Sequence, residues 1–402
     1  MRRELPPTSG LPPHIADLYR FSPHALSDLL AASLGTDRVT LTCSGSSALV
    51  IAFDYFKRLA VGGEVILPAF SCPLVAHAAL KAGLSVRLCD TMPARFDLDL
   101  GQLARILSAD TLAVVPTHFG AHLTPISPLR AFLRSVAPHI FVIEDAAQAF
   151  GARMHGRPVG FSGDVGLFSF AAGKGLTLYE GGCLVAADPV IRMAIERHAQ
   201  TMLKPNLPTE WHRIAALIGY HAFYYPLGLR WVYGWPLRRH LRRGNLIAAL
   251  GDDQHAIPMH PLGSWRQSVG AHALLRWNKH LAVTQQRARF LIRLLSQIPQ
   301  LDLHLPEAGM EPSQTFLFVS FKTKRQADRA LRAGVEQGLG VTKLFAHPLN
   351  RYPALEGKIL SGPTPQAQAL SDRTVSVTTS PYMRDQDAER IALMFQTIVR
   401  GS

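Results

Sequence analysis

The chain has 402 residues, 48% of them hydrophobic and 18% charged, with a formal charge of +13. That length suits two domains, and that composition excludes a disordered chain. The basic residues are scattered apart from one cluster, so the excess charge fits solvation, or an anionic cofactor and substrate, better than nucleic acid.

Four cysteines (Cys43, Cys72, Cys89, Cys183) lie far apart with no CxxC pair. This argues against a zinc site or a secreted disulfide framework and for a reducing, cytoplasmic compartment. The start, Met1-Arg-Arg-Glu-Leu-Pro-Pro, lacks the apolar core of a secretory signal.

In chain order, residues 21–35 read as a helix, with Ser22 as cap, Pro23 in the first turn and Gly35 as its end. Apolar strands follow at 39–42, 64–67, 86–89, 112–116 and 141–144, separated by helices that include 48–59 and 73–82. Such alternation predicts an α/β fold, a mainly parallel sheet between helices. Residues 166–187 read as two more strands around a glycine-bearing loop, making seven, and a helix follows at 189–203. Residues 204–258 are an inserted segment, aromatic and rich in arginine. One long helical pattern runs from 264 to 297. A smaller C-terminal α/β domain follows, with strands at 315–321 and 374–378 and helices at 325–337 and 385–399. The expected division is an N-terminal arm and helix (1–39), a large domain (40–203), the insertion (204–258), and the long helix with the small domain (259–402). The uncharged stretch 214–229 is too short to span a bilayer.

In such sheets ligands sit at the carboxyl ends of the strands. Ser44-Gly45-Ser46-Ser47 stands between a strand and a helix, where small residues let backbone N–H groups approach an anion. Taken alone, a plain serine cap is the favoured reading. Glu144-Asp145-Ala-Ala-Gln148 follows a buried strand, where a carboxylate needs a partner. A pyridinium nitrogen is one such partner, and a helix-capping aspartate explains the motif equally. Lys174 carries most weight. Of nine lysines it is the only one between Lys81 and Lys204, although arginines are frequent there. It lies between two glycines in Ser169-Phe-Ala-Ala-Gly-Lys174-Gly, where neither helix nor strand needs a charge. Lysine can form a Schiff base once its pKa is lowered, and arginine cannot.

Together these segments resemble the DegT/DnrJ/EryC1/StrS sugar aminotransferases of fold type I. The resemblance is carried in order by Ser44-Gly-Ser-Ser-Ala-Leu49, Gly63-Glu-Val-Ile-Leu-Pro-Ala69, Pro116-Thr-His-Phe-Gly120, Glu144-Asp-Ala-Ala-Gln148, Gly163-Asp164 with Phe168-Ser-Phe170, and Lys174 with Glu180-Gly-Gly182. It implies pyridoxal 5'-phosphate bound to Lys174, which would also move the substrate proton. Asp145 would pair with the ring nitrogen, Gln148 would lie near the ring, and Gly45, Ser46 and Ser169 would bind the phosphate. His118 stands where the family has a histidine near the cofactor, in a substrate-facing or structural role. Cys72 stands where an aromatic usually stacks on the ring, so either Cys72 packs there or Phe70 compensates.

The implied activity is transfer of an amino group from an amino acid, glutamate, to a keto-sugar carried on a nucleotide, by a homodimer. No metal is implied. The related dehydratases carry histidine in place of Lys174 and are disfavoured. Two rivals stay open: a pyridoxal-phosphate enzyme acting on a lipid-linked or other non-sugar carbonyl, and a non-catalytic binding or regulatory protein. The aromatic and arginine-rich stretch 211–243 allows either a packed subunit interface or peripheral contact with the inner face of a membrane.

Overall fold

The apolar runs pair into one sheet. In the computed structural model, which describes residues 3–252 and 256–401, its strands lie in the order Thr40–Thr42, Gly182–Val185, Val165–Ser169, Phe141–Asp145, Thr111–Val114, Glu64–Pro68, Ser85–Cys89 and Leu360–Ser361. All neighbours are parallel except Gly182–Val185, which runs against both of its own. Seven of these strands are the expected ones. The eighth, only two residues long, comes from the C-terminal region and adds to Ser85–Cys89. The sheet is therefore eight-stranded, and a two-residue exposed strand offers no sequence pattern to find. The central strands Glu64–Pro68, Thr111–Val114 and Val165–Ser169 are buried at every residue, as a parallel sheet covered on both faces requires.

A second sheet of four antiparallel strands, Asp302–Leu303, Phe316–Ser320, Thr374–Thr378 and Val341–Thr342, packs against the helices Lys324–Gln337 and Asp385–Arg400. Thr323 and Gln326 form a capping box at the first of these helices.

Two expected helices change shape. The first begins at Leu26, not beside Ser22, because the Ser22 hydroxyl accepts from His24 N–H in a separate turn and Ala25 is extended. Gly35 ends it in the left-handed conformation, as expected. The long pattern after residue 264 is broken into Ser264–Leu274 and Trp277–Leu295. At the break, Arg276 donates to Pro12 O and pairs with the buried Asp17, which also holds His272 at 2.8 Å. A straight helix has the same periodicity; the grip on Asp17 is a tertiary contact.

The inserted segment forms the helix Leu207–Phe223, then shorter helical turns through Arg242 and a final turn at Leu246–Leu250. Its residues 253–255 lie outside the described residues. No helix among the described residues is long and apolar enough to cross a membrane.

Candidate active site

The carboxyl ends of the strands Phe141–Asp145 and Val165–Ser169 meet the N-terminus of the helix Gly45–Leu59. Both readings of the serine cluster hold there. Ser44 caps the helix, accepting from Ser47 N–H at 3.0 Å while Ser47 accepts from Ser44 N–H at 3.0 Å. Gly45 and Ser46, the first helical residues, face a cavity instead, where backbone N–H groups lack helical acceptors. A Cβ on Gly45 would stand 2.9 Å from that of Ser169. Glycine is needed there for the helix end to come so close.

This cavity, of about 190 Å³, is lined by Gly45, Ser46, Cys72, Asp145, Gln148, Ser169 and Lys174, so seven sequence-predicted residues share one wall. Asp145 is buried, and its carboxylate accepts from Ala147 N–H at 3.0 Å. Burial pushes its pKa up, against the pull of Ala147 N–H, Lys174 and His118. Lys174 is the complement: burial pushes its pKa down, opposed by Cys72, Asp145 and Asp252. A buried carboxylate short of a cation and an amine disposed to be neutral therefore share one small space.

The loop that carries Lys174 is fixed on every side. Lys174 N–H donates to Ala171 O at 3.0 Å, and the Thr177 hydroxyl donates to Lys174 O at 3.1 Å. The N-terminal arm crosses the loop: the Thr8 hydroxyl donates to Gly173 O and Leu11 N–H to Gly175 O. Gly173 has φ +79° and Gly175 leaves only 2.7 Å for a Cβ before Trp277, so both positions require glycine.

His118 does not line the cavity. It is buried beneath Asp145, its Nε2 bonded to Glu144 at 2.9 Å while its Nδ1 accepts from Thr124 N–H at 3.2 Å. Glu144 also accepts from Gly160 and Gly163 N–H groups. With both ring nitrogens engaged, His118 sets the strand end that presents Asp145. Phe70 does not reach the cavity either. It lies in the core against Phe119 and Phe345, at ring separations of 6.0 and 5.4 Å, and those two rings, with Cys72, line the wall. Burial pushes the Cys72 thiol up to about 11, so it packs as a neutral group.

Among the lining residues that sequence reasoning missed, four matter to the chemistry or shape of the wall. Phe119 and Thr117 were legible only as parts of the Pro116–Gly120 segment. Phe345 arrives from the small domain, 171 residues after Lys174, and no local pattern announces it. Glu180 had a signal, its place before two glycines. Its Oε1 is 2.8 Å from Arg213 of the inserted helix, and burial raises its pKa. Glu180 Oε2 and Thr117 Oγ1 are buried without a hydrogen-bond partner, as expected of groups that await a ligand.

The inserted segment also encloses a second cavity, of about 540 Å³, lined by Tyr220, Phe223, Tyr224, Val232 and Tyr233 and closed by Gly173 and Tyr179. Along the lysine loop, Ala171, Lys174 and Glu180 face the smaller cavity while Ala172, Gly173 and Tyr179 face the larger. The loop is a shared partition.

These residues fit pyridoxal phosphate: a lysine for its aldehyde, a carboxylate for its ring nitrogen, and a helix N-terminus with a serine for its phosphate. Among the described residues no group of side chains could hold a metal ion.

Comparison with known proteins agrees. The profile of the DegT/DnrJ/EryC1/StrS aminotransferase family matches residues 23–221 and 264–396, leaving out 222–263. The chain is 26% identical over 373 residues to the dTDP-4-dehydro-2,3,6-trideoxy-D-glucose 4-aminotransferase of Saccharopolyspora spinosa, covering 92% of this chain and 87% of that protein. It is 24% identical over 363 residues to the UDP-N-acetyl-3-dehydro-alpha-D-glucosamine 3-aminotransferase of Acidithiobacillus ferrooxidans, covering 89% and 83%. Among solved structures, Helicobacter pylori PseC, an aminotransferase of pseudoaminic acid biosynthesis, superposes with TM-score 0.76 over the whole of both chains at 14% identity. The PLP-form of Spr1654 from Streptococcus pneumoniae superposes with TM-score 0.74 over 99% of both chains at 15% identity. The chain thus belongs to the DegT/DnrJ/EryC1/StrS aminotransferase family, whose members work with pyridoxal phosphate.

Proposed function

We propose that this aminotransferase moves an amino group from an amino-acid donor to a keto-sugar, with Lys174 as its catalytic residue. The observation that carries the reading is the pairing of Lys174 and Asp145 in one small cavity, with opposite pKa displacements. When bound, pyridoxal phosphate supplies an electron sink for the pair left on the substrate carbon. Lys174, disposed to be neutral, takes the proton from that carbon and returns it. Asp145 keeps a proton on the ring nitrogen. Gly45, Ser46 and Ser169 receive the phosphate, and Gln148, Cys72 and Phe345 bound the ring.

The relatives' names support the acceptor class: they act on dTDP- and UDP-linked keto-sugars, which favours a nucleotide-linked acceptor here. Glutamate is the proposed donor. The Streptomyces griseus L-glutamine:scyllo-inosose aminotransferase, 34% identical over 154 residues (38% of this chain and 35% of that protein), makes glutamine the second donor to test. We further propose a homodimer, and a reducing, cytoplasmic compartment, the latter supported by the four free cysteines.

The purified protein should be yellow, and borohydride should fix the chromophore to the Lys174 peptide. Lys174→Ala should abolish that link and amino transfer together. A colourless wild type that takes up no added cofactor overturns the reading.

A further inference from the structure

The inserted segment leaves a large apolar surface uncovered. On the helix Leu207–Phe223 the exposed row Leu207, Trp211, Ala215, Ile218 and Ala222 recurs at helical spacing and contains no polar side chain. A helix facing water normally carries its charges on that row. The next turns expose Trp231, Val232 and Trp235, between half and two-thirds open to solvent. Phe223 and Val232, one from each half, are about half exposed and line the same 540 Å³ cavity, so the two halves border one face.

Most of the charge that this segment carries is positive. From residue 211 to 251 there are six arginines and neither Asp nor Glu. Arg230 stacks on Trp231 at 5.3 Å and Arg239 on Trp235 at 5.4 Å. Arg239 and Arg243 make no ion pair among the described residues, and Arg242 has only Glu336 at 3.8 Å. A second copy docked through this face offers the arginines no acidic counterpart from its own residues 211–251. An anionic lipid surface meets both features, since tryptophan settles at the headgroup level and arginine meets lipid phosphate.

We propose that the 207–243 face is a docking site for an anionic bilayer, seating the enzyme peripherally with the cavity mouth toward the lipid. This goes beyond the aminotransferase reading and does not depend on it. The test is co-sedimentation of the full-length, cofactor-loaded protein with vesicles of phosphatidylcholine alone or of equimolar phosphatidylcholine and phosphatidylglycerol. Binding should occur only with the anionic vesicles and weaken as salt is raised. The combined Arg239→Gln, Arg242→Gln, Arg243→Gln variant should bind about a hundredfold more weakly, since each surface arginine contributes about 1 kcal/mol. The combined Trp211→Ser, Trp231→Ser, Trp235→Ser variant should lose binding while keeping bound cofactor and amino transfer, which excludes misfolding. If the tryptophan variant loses cofactor, the arginine variant decides alone. Failure of the wild type to bind anionic vesicles overturns the proposal. So does equal binding by wild type and arginine variant. Dissociation of a dimer by the tryptophan changes, with no vesicle binding by wild type, assigns the face to contact between copies.

Discussion

The Thr8 hydroxyl donates a 2.6 Å hydrogen bond to the carbonyl of Gly173, the residue immediately before Lys174. With Leu11 N–H on Gly175 O at 2.8 Å, the N-terminal arm holds the peptide on both sides of the lysine. Thr8→Val removes one of these bonds at nearly constant volume. It should cost about 0.5–1.5 kcal/mol. The melting temperature should fall slightly and the apparent Kd for pyridoxal phosphate should rise. Unchanged cofactor affinity would show that the arm does not position the loop.

Asp145→Asn keeps the shape of the side chain and removes its charge. A hydrogen bond to a charged group contributes about 1.5–3 kcal/mol. Cofactor affinity should therefore fall by about 10- to 100-fold, with a larger loss in kcat because the ring nitrogen is no longer held protonated. Equilibrium titration of the apoprotein by absorbance checks the first, and stopped-flow with glutamate the second.

Arg266 is fully buried and forms a bidentate pair with Glu210 at 2.7 and 2.6 Å, joining the inserted helix to Ser264–Leu274. It also donates to Glu180 O, behind the active site. Arg266→Met should destabilise the protein by about 3–5 kcal/mol, because it leaves Glu210 uncompensated. Adding Glu210→Leu should recover much of that loss in urea unfolding. An equal loss in both variants would place the energy in packing instead of charge.

His280 and His304 are held neutral by burial, which lowers each from 6.5 to about 4. The unfolded chain takes up these protons near pH 6.5 and the folded chain does not. Their contribution to stability is thus complete above pH 6.5 and is lost as pH falls towards 4. The melting temperature should drop across that window. His280→Gln should flatten the drop by about one proton's worth of slope, and an unchanged slope would refute the assignment.

Much of this was legible in the sequence for a physical reason. The buried parallel strands are unbroken apolar runs, and the glycines around Lys174 and beside Ser44 mark places where a neighbouring side chain packs directly on the backbone. Cavity-lining residues on those strand ends could therefore be named by position. The eighth strand, the break at Arg276 and Phe345 in the cavity wall are products of long-range contact, and no local pattern encodes them. His118 shows a different limit. Its place at a strand end was correct, but the direction of its ring is decided by Glu144 and Thr124, one of them 26 residues away.

The arm has a consequence for the order in which the molecule is made. Leu5 N–H bonds to Gly338 O, Ser9 N–H to Thr315 O, and Arg3 pairs with Asp387. These partners follow the arm by more than 300 residues, so the arm is tied to the small domain only after that domain has been made. Until then the clasp on Gly173 and Gly175 can form but is not tied to the small domain. The final anchoring of the lysine loop therefore waits on the small domain, through a segment that contributes no side chain to the chemistry.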